Sequence, residues 1–132
     1  MDKAVARLKR VVGGRDRVCG ELVVAEEPIS FLGDAVPEKG LIRGLGDVAG
    51  KIVMYPTAIG STVSSYKIYG LSYYRKAPAA FVARKVDPVT LIGCVLSGIP
   101  LYEIKELIEL PDLRGLSGRR ACIIDDLLVL VD

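Results

Sequence analysis

Hydrophobic and polar positions follow two different rhythms along this chain. Residues 5–11 and 18–25 have the apolar, β-branched composition of strands, and Gly13-Gly14-Arg15-Asp16 between them reads as a turn. From residue 51 onward, short apolar runs alternate with longer stretches of helical character. Residues 51–55 read as a strand, 62–75 as a helix, 79–83 as a second strand, 89–96 as a second helix and 99–104 as a third strand. This βαβαβ pattern predicts parallel strands joined by crossovers. The punctuation agrees: Pro78 follows the first helix, and Asp87-Pro88 supplies an N-cap with proline at the first helical position. On the first helix Val63, Tyr66, Gly70 and Tyr73 fall at near-helical spacing, and the pattern predicts that they pack in the core.

The regions around this unit are patterned differently. Between Glu26 and Gly50 lie Pro28, Gly33, Pro37, Gly40, Gly44, Gly46 and Gly50, so continuous structure is expected only near Leu41-Ile42-Arg43. So long a loop either wraps the sheet or serves a site. After residue 110 a loop is expected over 111–118, then two apolar runs at 121–124 and 127–131 joined at Asp125-Asp126 as a hairpin. The fold class is therefore α/β, a parallel βαβαβ core with flanking antiparallel strands, in one domain spanning residues 1–132.

Composition narrows the function. The net charge of +2, from 18 basic and 16 acidic residues, gives no footprint for nucleic acid or an anionic membrane. With no histidine among the 132 residues, Ser-His-Asp and Cys-His catalysis, a His general base and His-ligated metal are all excluded within this polypeptide. Cys19, Cys94 and Cys122 are widely separated in apolar surroundings, which predicts three buried thiols in a reducing compartment and no metal or cluster held by this chain. The charged N-terminus lacks the apolar core of a signal peptide, and no apolar run reaches membrane-spanning length, so a cytoplasmic location is expected.

Candidate chemistry collects where parallel strands end. Ligands sit beyond the carboxyl ends of such strands, which here deliver Gly60, Ser61 and Thr62 from the first, Arg84 and Lys85 from the second, and Glu103 from the third. Gly60 permits a tight turn, after which Ser61 presents its hydroxyl beside helix N-terminal N–H groups. Ser61 or Thr62 is then either an ordinary N-cap or part of an anion site. For a serine to accept a proton its alkoxide must be stabilised, by those N–H groups and by a cation, for which Arg84 is the best candidate and Lys85 and Lys67 weaker ones. Ser30-Phe31, beside Gly33 in the long loop, is positioned by composition to close over a site. Even so, the set lacks an electrophile, and it reads as half of an active site.

Four motifs carry a family likeness. The segments 20–33 (GELVVAEEPISFLG), 50–56 (GKIVMYP), Gly60-Ser61, and 76–84 (KAPAAFVAR) resemble the small-subunit or swivel domain of aconitase X. The resemblance implies the swivelling β/β/α barrel of the aconitase C-terminal domain. It also implies a role in an iron-sulfur hydro-lyase, in which a large subunit carries the cluster and this piece closes the site. Substrates in the family are 5-phosphomevalonate, dehydrated in a modified mevalonate pathway, and 3-hydroxyproline isomers. Carried over by position, Ser61 matches the proton-abstracting serine, and the loop from Pro28 to Gly33 matches a family segment; with the strand-end reading above, Gly60, Thr62, Ser30 and Arg84 are the substrate-binding candidates. Leu32 and Asp34 stand where the family has tryptophan and a second glycine, and Ile59 where a basic residue commonly precedes Gly-Ser. A non-catalytic anion-binding module is the reading from a different class.

Overall fold

Residues 2–108 and 115–131 are described by the computed structural model; of the loop expected over 111–118, residues 111–114 lie outside them. β1 (Lys3–Val12) and β2 (Arg17–Val24) form where alternation predicts them, yet each takes other neighbours. β1 pairs antiparallel with β8 (Leu101–Leu107) and β10 (Leu127–Leu130), while β2 pairs antiparallel with β9 (Arg120–Ile124) and parallel with β6 (Ile52–Tyr55). β7 (Ala80–Ala83) lies between β6 and β8, parallel to both, and the circuit closes as a barrel in the order β1, β10, β9, β2, β6, β7, β8. Closure removes the exposed strand edges that an open sheet would leave.

β6 and β7 are buried along their whole length because both of their faces are covered. Ile52, Met54, Ala80 and Val82 point into the barrel, whereas Val53, Tyr55, Phe81 and Ala83 face a second core beneath the helices. Each large apolar side chain buried this way contributes about 1.5–3 kcal/mol. That second core is roofed by α2 (Ser65–Tyr73) and α3 (Pro88–Ser97), packed closely enough that a Cβ at Gly93 would stand 2.7 Å from Ile68 Cβ. Asp87 caps α3 and Gly98 ends it in the left-handed region, as the Asp-Pro and Gly punctuation requires. The long loop condenses into a helical turn α1 (Phe31–Asp34) and a small antiparallel sheet of β3 (Ala35–Val36), β4 (Leu41–Ile42) and β5 (Gly46–Asp47).

Two expectations are overturned. The stripe Val63, Tyr66 and Tyr73 faces outward, and α2 buries Ser65, Ile68 and Leu71 instead. Ser64 and Ser65 are tolerated beneath the helix because their hydroxyls donate to Ser61 O and Val89 O. With that face taken, the tyrosines turn to where their phenols are solvated. The cysteines also differ from the prediction. Cys19 and Cys122 sit directly opposite each other on β2 and β9 and form a disulfide, a pairing hidden by a sequence separation of 103. Cys94 is a buried free thiol, as expected. No described helix is long and apolar enough to cross a membrane.

Candidate functional site

The parallel ladder continues past the ends of its strands and laces three loops together. Arg84 N donates to Tyr55 O and Lys85 N to Pro56 O, both at 2.9 Å, so the segments leaving β6 and β7 stay paired. On the other flank Ile29 N donates to Thr57 O and Ile59 N to Ile29 O, both at 3.0 Å, forming a parallel bridge between Ile29 and Ala58. Ser30 follows this bridge on one loop, and Gly60 and Ser61 follow it on the other. The fold therefore brings together loops that lie about thirty residues apart in sequence.

Gly60 has φ of 105°, a conformation side chains rarely adopt, and it swings the chain into Ser61. Ser61 caps a 3₁₀ turn (Thr62–Ser64) that runs directly into α2. Its Oγ accepts from Val63 N at 3.4 Å, and its carbonyl accepts from Ser64 N at 3.0 Å and Ser64 Oγ at 2.5 Å. Ser61 is thus the N-cap of this turn, Ser64 holding the same position for α2, and both Ser61 and Thr62 are exposed. The cap also bears on chemistry: an N–H donor and the positive end of the helix favour negative charge on Oγ or on an anion beside it.

Arg84 and Lys85 are exposed on the adjoining loop, with their backbones fixed by the ladder. Lys67 is removed from contention, because its ammonium donates to Ala35 O at 3.1 Å. Glu103 lies within β8 rather than at its carboxyl end, and it holds the β7–α3 loop by accepting from Val86 N at 2.9 Å; that bond together with Lys105 keeps its carboxyl below its ordinary range. Ser30 is half-buried and makes no side-chain cap to α1. Phe31 does not close over the site as composition suggested: it is buried edge-on to Phe81 and anchors its loop from below.

The residue that the sequence undersold is Asp87. Its Oδ1 accepts from Thr90 N at 2.7 Å, as an N-cap should, while Oδ2 accepts from Thr90 Oγ1 at 2.9 Å and from Ala58 N at 3.0 Å. One buried carboxylate thus ties the start of α3 to the loop that carries Ser61. The Asp-Pro signature announced the cap, but the bond to Ala58, 29 positions away, has no local sequence signal. Beneath it, burial pushes the Tyr55 phenol well above its usual range and the Cys94 thiol to about 12, so both stay neutral at physiological pH. Beside the 26–30 loop a cleft of about 420 Å³ opens, lined by Glu26, Glu27, Asp34, Arg43 and Ser117 among others. Among the described residues no group of three or more His, Cys, Asp or Glu is placed to hold a metal, and the cysteines, two in a disulfide and one buried, do not fit a cluster.

Comparison with known proteins follows the same lines. The family pattern of the aconitase X swivel domain matches residues 6–126. The phosphomevalonate dehydratase small subunit of Pyrococcus abyssi is 41% identical over 102 residues, covering 72% of this chain and 78% of that one. The protein of the same name from Aeropyrum pernix is 39% identical over 97 residues, covering 74% and 71%. In structure, a chain of Thermococcus kodakaraensis aconitase X in its holo-form superposes with a TM-score of 0.82 at 28% identity, over 98% of this chain and 99% of that one.

Proposed function

The chain belongs to the aconitase X swivel domain family, and on that premise we propose that it is the small subunit of a two-subunit phosphomevalonate dehydratase. The reaction removes water from (R)-5-phosphomevalonate to give trans-anhydromevalonate 5-phosphate, with Ser61 as the proton acceptor. The observation that carries this reading is an exposed serine on a preformed helix N-terminus, in a chain about 40% identical to several proteins of that name. Residues 1–132 act in it as one swivel unit, without nucleic acid or membrane.

Dehydration needs a base for the proton and an acid for the departing hydroxyl. Ser61 supplies the first. Proton transfer to its alkoxide neutralises a charge that the Val63 N–H and the helix end favour, so the same donors set the basicity of Oγ. Gly60 leaves the space above the turn open, since a Cβ there would meet no atom within 4 Å. Arg84 offers a permanent cation to an anionic group of the substrate, and Ser30 and Thr62 offer hydroxyls. An iron-sulfur cluster on the larger subunit would supply Lewis acidity for the leaving hydroxyl. This chain's contribution is to hold its loops still: the laced backbone and Asp87 fix where Oγ points before substrate arrives.

The test is anaerobic co-purification with the larger subunit, followed by a dehydration assay on 5-phosphomevalonate. The reading predicts water loss from that substrate only when both subunits are present. Turnover of 3-hydroxyproline instead, or no partner-dependent turnover, overturns it.

A further inference from the structure

The two helices covering the barrel present an outer face without charge. α3 contains no charged residue, and the one in α2, Lys67, turns its ammonium to Ala35 O. Together with the 3₁₀ turn before α2, what they show to solvent is apolar or aromatic: Val63 of the turn at 64% exposure, Tyr66 at 55%, Tyr73 at 69% and Val95 at 63%. Helices facing water ordinarily put charged and polar residues on that side, and a contiguous apolar face marks an interaction surface. This one starts at the candidate site. Ile59 and Val63 stand two positions either side of Ser61, both exposed, and α2 runs on from the turn that Ser61 caps.

We propose that this uncharged face, from Ile59 and Val63 across Tyr66 to Val95, is the docking surface for the larger subunit. The inference rests on the functional reading above. A protein that brings a Lewis acid to Ser61 must cover the ground around Ser61, and on the helix side that ground is apolar, Ile59 and Val63 being its nearest exposed members. A second copy of this chain is the poorer occupant, because it offers no group of metal-ligating residues among those described and leaves the site incomplete. The residue types also suit the role: tyrosines are over-represented among residues that dominate binding energy, and charge is depleted at interface centres.

The experiment measures the dissociation constant of the complex with the larger subunit by sedimentation or calorimetry, without turnover. Tyr66→Glu and Val95→Glu are compared with Arg7→Glu on the opposite wall of the barrel. Each helix-face substitution is expected to weaken association at least about 30-fold, the effect of losing one dominant contact. Arg7→Glu leaves it unchanged, and thermal midpoints stay within about 2 °C because all three side chains are exposed. Association within threefold of wild type for both helix-face variants, in a complex that still dehydrates phosphomevalonate, overturns the surface alone. Self-association of this chain that both substitutions abolish, with larger-subunit binding intact, overturns the choice of occupant. A wild-type chain that binds no larger subunit overturns the functional reading beneath both.

Discussion

The two walls of the barrel solve the same packing problem with opposite surfaces. On the antiparallel wall β1 pairs with the whole length of β8, and its outward positions carry Arg7 and Lys9, with Arg7 reaching Glu106 at 3.6 Å. The parallel wall of β6 and β7 is roofed by helices whose outer face is uncharged. Both walls line the barrel core, and only the parallel wall carries a second core behind it, beneath the helices. What also differs is what lies beyond the strands. β1 and β9 end in turns, whereas β2, β6 and β7 feed loops that are hydrogen-bonded to one another and carry Ser30, Gly60, Ser61 and Arg84. A charged wall faces one that is roofed by uncharged helices and leads to the proposed site.

Substitutions should separate the two walls by what they damage. The largest effect is expected from Asp87→Ala, which removes a cap and leaves the buried Ala58 N–H without its acceptor. Stability should fall by about 2–4 kcal/mol in denaturant unfolding, and turnover of the complex by at least about tenfold. Asp87→Ser, which keeps a capping oxygen too short to reach Ala58, should recover part of the stability but not the turnover. If it recovers both equally, the tether to Ser61's loop has no catalytic meaning.

On the other flank of β2, Cys122→Ser should cost about 2–4 kcal/mol under oxidising conditions, with partner binding and turnover unaffected. Equal stability of the variant and wild type in the presence of reductant would locate the whole effect in the disulfide. A change in turnover would break the separation of the walls. Raised pH probes the roofed core. The Cys94 thiol titrates at about 12 when folded, above its ordinary value, so its stabilising contribution is complete below about pH 9 and lost as pH rises towards 12. Cys94→Ala should flatten that alkaline decline. The smallest effect belongs to Glu103→Gln. The lowered folded pKa of Glu103 gives stability that is present above the ordinary carboxylate range and lost as pH falls through the folded value. Because the side chain is partly exposed, the difference at pH 7 should stay below about 1 kcal/mol and vanish in acid.

How far the sequence could be read follows from how local each signal was. β6, β7, α3 and the β9–β10 hairpin are written in short runs with their own punctuation, and they form where that punctuation puts them. Gly60-Ser61 was legible for the same reason. The antiparallel partners of β1 and β2 were not, because pairing across roughly 90 to 127 residues leaves no mark near either strand. The same distance hid the disulfide and the bond from Asp87 to Ala58. Periodicity failed on α2 for another reason: tyrosines and serines both fit either face, and only the satisfied hydroxyls of Ser64 and Ser65 decide which is buried. That failure was informative, since the misplaced stripe became the docking face.

The account turns on Ser61 acting as a base rather than only as a helix cap, and Ser61→Gly in the reconstituted complex separates the two, since glycine is a tolerable N-cap that costs only a few tenths of a kcal/mol. With the dissociation constant and thermal midpoint near wild type, kcat on 5-phosphomevalonate should drop by about 10²–10⁴-fold, the contribution of a positioned base. A kcat within threefold of wild type in an intact complex would contradict the assignment and leave Ser61 a cap.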